Sequence, residues 1–255
     1  MNPELIPIKT EMKKDRFDLY ETIVESIERN GEQICDNDII AISSKFVAMS
    51  EGSVVELNKV QPSDRAAKIA EKFIMDPRLV ALILQESEYV FNGIDGFILT
   101  AKNGVLAPNA GIDRSNVPQG FVILHPRDAF NLAQSLRKKF VVSMRKPVGI
   151  LLTDSRLMPT RIGTIGVAVA VSGFEPVEDL RGKKDLFGNI IRVTLKAIAD
   201  SIATAANLIM GESNESIPIV IVRNFNVRMS DKMFSPKDIA ISHDQCIYVR
   251  GLRTK

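Results

Sequence analysis

Three acidic residues stand where apolar segments end or where small residues turn the chain. They are Asp113 in Pro108-Asn109-Ala110-Gly111-Ile112-Asp113-Arg114-Ser115-Asn116, Asp154 in Thr153-Asp154-Ser155-Arg156, and Glu212 in Gly211-Glu212-Ser213. Carboxylates brought together repel one another, and burying one unpaired is costly, so a cluster of them points to bound cations. Hard divalent ions such as Mg²⁺ or Mn²⁺ take oxygen ligands, and two of them can clamp a transferring phosphoryl group. Spacing alone does not make the three converge, and each has an ordinary alternative as a turn residue or a solvated acid. Glu212 is the least ordinary, because a carboxylate just past a helix C-terminus opposes the helix dipole. Two further stretches carry phosphate-compatible groups: Ser43-Ser44-Lys45, which also reads as a helix cap with a solvated lysine, and the basic turn Arg181-Gly182-Lys183-Lys184, which also reads as exposed loop. His125, before Pro126, reads as structural.

The elements that must position these groups follow from apolar periodicity. Residues 148–152 form an apolar run, read as a buried strand that stops at Thr153-Asp154-Ser155-Arg156. Polar groups at a strand's C-terminal end face the ligand crevice of open α/β sheets, although an ordinary connection has the same appearance. A loop with Pro159 and Arg161 leads through Gly163-Thr164-Ile165-Gly166 to a second apolar segment, 167–171. Upstream, 5–8 predicts a strand held to an edge by Pro7. Leu19, Ile23, Val24 and Ile27 predict a helix over 18–28, and 38–42 reads as a buried strand running into Ser43. Ser63 or Asp64, and Asp76-Pro77, mark helix starts, the second helix reaching Glu88 with Glu86 and Glu88 on solvated surface. Strands are expected at 97–100 and 121–124, with a tight turn at Lys102-Asn103-Gly104. Helices are expected at 127–139 and, as the longest, 193–210, followed by a last buried strand at 218–222.

Composition narrows the class. The 255 residues suffice for a full core. The 33 basic and 31 acidic residues nearly cancel, so no global field points to nucleic acid or a membrane surface. No apolar run approaches the roughly 20 residues of a membrane span, and residues 1–20 do not resemble a signal peptide. Cys35 and Cys246 lie far apart without metal-ligand spacing, which fits a reducing cytoplasm and gives no zinc or disulfide framework. The expectation is a cytoplasmic protein with no nucleic-acid and no membrane partner.

Taken in order and spacing, several of these stretches resemble the coenzyme F420-0:L-glutamate ligase family, also called gamma-glutamyl ligases. They are Asn109 to Asn116, Thr153-Asp154-Ser155, Lys184-Asp185-Leu186-Phe187-Gly188 and Ala206-Asn207-Leu208-Ile209-Met210-Gly211-Glu212, within a match running from Leu5 to Val227. The resemblance implies a single domain over 1–255, a mixed α/β (α+β) ligase fold of two interlaced lobes with mixed sheets, and a homodimer. It also implies a metal-dependent, GTP-driven amide synthesis. The γ-phosphoryl group passes to a carboxylate of coenzyme F420-0 or a similar phosphorylated acid, and glutamate attacks the acyl phosphate. By the same resemblance, two Mg²⁺ or Mn²⁺ ions are expected, with Asp113 and Asp154 at one and Ser155 and Glu212 at the other. Ser43, Ser44, Asn116 and Lys184 are expected near the nucleotide. Asp154 and Arg161 are the expected catalytic residues, Arg161 and Arg156 balancing phosphate or carboxylate charge by their type and position. The chain departs from the pattern at Met49, where members carry lysine, at Thr10-Glu11-Met12 in place of Gly-Leu-Pro, and at Arg156-Leu157-Met158, which lacks the family's glycine. The alternative is a nucleotide- or deazaflavin-binding paralogue with changed substrate or lost turnover.

Overall fold

The computed structural model describes residues 2–102 and 105–252. The expected turn at Lys102-Asn103-Gly104 falls largely outside them. The chain is mixed α/β and runs, in order, through β1 (Glu4–Ile8), α1 (Leu19–Arg29), β2 (Ile39–Ser43), α2 (Ser44–Glu51), β3 (Val54–Glu56), α3 (Asp64–Lys72), α4 (Pro77–Glu86), β4 (Tyr89–Ile94), β5 (Phe97–Lys102), β6 (Val105–Pro108), β7 (Phe121–Ile123), α5 (Ala129–Met144), β8 (Gly149–Leu157), β9 (Thr164–Ser172), β10 (Val177–Asp179), β11 (Leu195–Ala197), α6 (Ile198–Met210), β12 (Ile219–Arg223) and α7 (Ile247–Leu252).

A five-stranded sheet, in the order β1-β12-β2-β8-β9, carries the molecule. β2 and β8 run parallel and every other neighbouring pair is antiparallel. Its inner strands are apolar on both faces because both are covered. On one face Ile40, Ile42, Ile150 and Leu152 meet Ile23 and Ile27 of α1, Phe46 and Val47 of α2, and Leu136 and Phe140 of α5. On the other, Ile39, Leu151 and Val220 meet Ile202, Ala203 and Ala206 of α6, with Phe234 from the C-terminal segment. A third core lies under α3 and α4, where Phe73, Leu82 and Ile83 pack on Ile98 of β5 and Val122 of β7. The main sheet is also tied by a buried ion pair: the Arg223 guanidinium donates to both oxygens of Asp38, at 3.0 and 2.8 Å. This two-bond geometry locks the start of β2 to the end of β12.

Local signals explain most element ends. Asp18, Ser63 and Asp76 each accept a first-turn N–H of the helix they precede. Pro7 does sit on an edge strand. Four expectations need correction. The run over 193–210 is not one helix: β11 takes Leu195–Ala197 and the helix begins at Ile198. α5 continues to Met144 and is the longest helix among those described. Glu86 is not solvated surface; its carboxylate meets Lys102 at 2.9 Å. The strand after Val148 does not stop at Thr153. β8 continues to Leu157 past an irregularity between Leu152 and Thr153, so the polar residues are inside a strand. No helix among the described residues is long and apolar enough to cross a membrane.

Candidate functional site

The site lies where β2 gives way to a helix while its parallel partner carries on. Ser43 pairs with Thr153 in the last parallel rung. Beyond it the β2 chain turns into α2 at Ser44, whereas β8 extends as a two-stranded ribbon with β9. This is the crevice at the carboxyl ends of parallel strands where α/β sheets bind ligands.

Along the ribbon, side chains alternate between faces. Asp154 and Arg156 therefore share one face and Ser155 the other. Asp154 accepts from the Ser44 hydroxyl at 3.0 Å on one oxygen and from the Arg156 guanidinium at 3.0 Å on the other. His125 Nε2 is 3.7 Å from that second oxygen and 3.1 Å from Arg156 Nη2. Burial pushes the Asp154 carboxyl up, but His125, Arg156 and Ser44 together outweigh it and hold the group below the ordinary carboxylate range. Asp154 is thus a carboxylate kept ionised in a largely closed place.

Asp113 arrives from the other side. A tight turn at Asn109–Gly111 precedes it. Its backbone then bridges to Ile123 of β7 through two hydrogen bonds, which fixes where the side chain starts. One carboxylate oxygen accepts the Ser115 N–H at 2.7 Å. The other meets the Ser115 hydroxyl at 3.0 Å and the Lys45 ammonium at 2.6 Å, and Lys45 also reaches the Ser115 hydroxyl. Here too burial raises the carboxyl, and Lys45 and Ser115 more than reverse it. Ser44 and Lys45, the first two residues of α2, thus each hold one aspartate.

Glu212 follows Gly211 at the end of α6, where it is exposed and accepts from the Thr164 hydroxyl at 3.0 Å. Thr164 and Gly166 lie on the same face of the ribbon as Ser155, which pairs with Gly166. Asn116 donates to the Ser213 carbonyl at 2.9 Å, so the Asp113 loop touches the Glu212 loop. Ser44 and Lys45 thus link Asp154 and Asp113 through adjacent residues of α2, while Ser155 and Thr164, which donates to Glu212, lie on the other face of the ribbon. Among the described residues no three His, Cys, Asp or Glu side chains stand close enough together to hold an ion. The donor set is all oxygen, which suits Mg²⁺ or Mn²⁺ in kind. Both aspartates are at present balanced by cations of the chain itself.

The remaining expected residues lie further out. Ser43 is half-buried; its N–H donates to the Pro218 carbonyl, and its side chain caps nothing. Lys184 lies in the exposed turn between β10 and β11, and Arg161 in the exposed turn between β8 and β9; neither joins an ion pair among the described residues. Of three further residues at the centre, Arg156 was expected to balance phosphate or carboxylate charge and Lys45 was read within the Ser43-Ser44-Lys45 stretch, whereas His125 was read as structural. Lys45 stood in plain view beside Ser44. Arg156 shares the face of Asp154 by the i, i+2 rule once the strand is known to continue. His125 carries no sequence signal, because its partners are 29 and 31 residues away.

Comparison with known proteins gives the family. The profile of the F420-0:Gamma-glutamyl ligase family matches residues 7–224. The coenzyme F420:L-glutamate ligase of Archaeoglobus fulgidus is 35% identical over 254 residues, 99% of each chain. That of Methanocaldococcus jannaschii is 39% identical over 193 residues, 75% of this chain and 77% of its own. That of Methanothermobacter thermautotrophicus is 35% identical over 209 residues, 82% and 83%. With a profile match over most of its length and relatives at 35–39% identity aligned over three quarters or more of both chains, this chain belongs to the F420-0:gamma-glutamyl ligase family and is an enzyme.

Proposed function

We propose that this enzyme joins L-glutamate in amide linkage to coenzyme F420-0 or a similar phosphorylated acid, driven by GTP through an acyl phosphate. The relatives' names carry the substrates. The structural observation that supports phosphoryl chemistry is the first turn of α2, which delivers the Ser44 hydroxyl to one aspartate and the Lys45 ammonium to the other. Its first-turn N–H groups, which the Ser43 side chain does not cap, and the lysine suit a polyphosphate. Asp113 with Asp154, and Ser155 with Glu212, would hold two Mg²⁺ or Mn²⁺ ions, which when bound neutralise charge on the phosphates. The protein's own part is to keep both aspartates ionised, to place Lys45 beside the phosphates, and to hold the carboxylate that accepts the phosphoryl group in line. Asn116 and, from the arm that carries β10 and β11, Lys184 would border the nucleotide, with Arg161 over the reacting groups.

The same reading includes a homodimer whose lobes interlace. Leu186, Phe187 and Val193 on the β10–β11 arm are 102%, 92% and 84% exposed, and Leu208 of α6 is 82% exposed. Apolar surface left out on an arm of this kind marks a partner face. A cytoplasmic location goes with two unpaired cysteines.

Incubation with Mn²⁺, GTP, L-glutamate and coenzyme F420-0 should release GDP and give a product heavier by one glutamyl unit. Asp154→Asn is the informative variant, because asparagine keeps an acceptor for Ser44. Asp154→Ala would strand the buried Arg156 charge and destabilise the protein by several kcal/mol for reasons unrelated to turnover. Asp154→Asn should fold and lose at least about 100-fold in turnover. Nucleotide binding without GDP release from any acceptor would instead favour a paralogue that binds without turning over.

A further inference from the structure

Beside Asp154 lies a cavity of about 330 Å³ whose wall includes His125, Arg127, Arg156, Phe130 and Val167. Its volume is at the small end for ligand sites. Arg156 is 8% exposed, yet of its three nitrogens only Nη2 is bonded, to Asp154 and His125. Nε and Nη1 are buried without a partner. Buried donors on a charged group nearly always have acceptors, because leaving them unmade is expensive.

The surroundings hold that guanidinium in place. Gly111 has φ +70°, and a Cβ there would lie 3.1 Å from the His125 ring and 3.4 and 3.5 Å from the two terminal nitrogens of Arg156. A side chain at 111 would press on both groups, so bare backbone lies against them. Other charges on the wall are already used. Lys102 pairs with Glu86, and the Asp128 carboxylate caps α5 and binds the Asn131 side chain. Arg127 joins no ion pair among the described residues and lines the same space. The N-terminal residues of α5, Ala129 and Phe130, complete that side. The wall therefore presents donors and positive charge to a space beside the expected reaction centre.

Resting on the ligase reading above, we propose that this cavity receives a carboxylate of one of the two acid substrates, with Arg156 as its counter-charge and Arg127 at its mouth. Glutamate and the acceptor both carry such a group. A carboxylate accepting from Nε or Nη1 would complete a guanidinium that Asp154 only half satisfies, and would place an acid substrate beside the aspartates.

The test uses the full-length enzyme with Arg156→Gln and Arg156→Lys, scored by KM for each substrate against kcat and by thermal stabilisation with L-glutamate alone. Loss of a charge-assisted hydrogen bond should raise one KM by about ten- to a hundred-fold, with partial recovery in the lysine variant. A rise for glutamate, with loss of its thermal stabilisation, identifies the incoming amino acid; a rise for the acceptor alone identifies the acceptor. Both KM values within two-fold of wild type while kcat falls would overturn the proposal and leave Arg156 as a residue that only orients Asp154. Should the Arg156 variants fail to fold, Val167→Phe fills the cavity from β9, and it must raise the same KM while nucleotide stabilisation stays unchanged, or the proposal is wrong. A wild-type enzyme that releases no GDP refutes the ligase reading separately. The thermal-shift arm, run with L-glutamate and a dicarboxylate, then decides the cavity's ligand alone, and no stabilisation abolished by Arg156→Gln overturns it.

Discussion

Gly166→Ala probes the contact that sets one half of the candidate site. A Cβ at Gly166 would lie 2.2 Å from the Ala203 carbonyl oxygen, 2.6 Å from its carbonyl carbon and 2.6 Å from Asn207 Cβ. Ordinary non-bonded separations are about 3.5 Å, so α6 and β9 would have to part by about 1 Å. Two of the three obstacles are backbone, and the third is a Cβ fixed to it, so no side-chain rotation relieves the clash. Overpacking of this kind costs about 1–3 kcal/mol, and the rigid obstacles place this case near 3. For a protein of this size that is a fall in Tm of roughly 6–12 °C. The same parting would stretch the 2.7 Å bond from the Thr204 hydroxyl to the Gly166 carbonyl and shift Thr164 away from Glu212. Differential scanning calorimetry of the variant and of Gly166→Ala/Ala203→Gly distinguishes the cause. Removing the Ala203 methyl leaves its carbonyl in place, so the double variant should be no more stable than the single one. A Tm within 2 °C of wild type, or recovery in the double variant, would show that helix and strand are not in backbone contact here.

Lys45→Met should leave stability almost unchanged, because the Asp113 side chain is 40% exposed and such pairs contribute at most about 1 kcal/mol. The Asp113 carboxyl should nevertheless titrate at higher pH than in wild type by carboxyl ¹³C NMR, and nucleotide affinity should fall about ten-fold or more. Unchanged affinity would remove Lys45 from the phosphate site. Asp200→Asn tests the opposite sign. Burial lifts the Asp200 carboxyl above its ordinary value, and the Ala168 N–H lowers it by less. A raised folded-state pKa means stability that is present below the unfolded value and lost as pH rises through the folded one. Asparagine keeps an oxygen for Ala168, so Tm at pH 7 should exceed that of wild type, with the advantage vanishing below about pH 4. A lower Tm at pH 7 would mean that the charge at the N-terminus of α6 outweighs its desolvation.

Legibility of the sequence followed the physics of burial. Strands covered on both faces announce themselves as apolar runs, which is why 38–42, 148–152 and 218–222 were readable within a residue or two as the centre of the sheet. The extension of β8 through Thr153–Leu157 was not readable, because a two-stranded ribbon needs no continuous apolar run and its residues alternate small, acidic and basic. Residues 193–197 looked helical because the stripe of α6 extrapolates backward into them. Pairing of Leu195–Ala197 with Val177–Asp179 overrides that local preference. Chemistry was expected at a strand end, but Asp154 lies inside β8, one residue past the last parallel rung.

What the linear pattern hides is the balance of charge around Asp154. Arg156 lies two residues beyond Asp154 in the chain. Because β8 remains a strand, the i, i+2 spacing turns that guanidinium onto the face of Asp154 rather than out with the exposed turn at 158–163. A stretch that reads in the sequence as a departure from the expected pattern is, in the fold, a cation set in the crevice. Its neighbours are then Asp154, His125 and the open cavity, so on the proposal above Arg156 bears on how an acid substrate would be held more directly than on whether the aspartates stay ionised, since Ser44 and Lys45 also act on that.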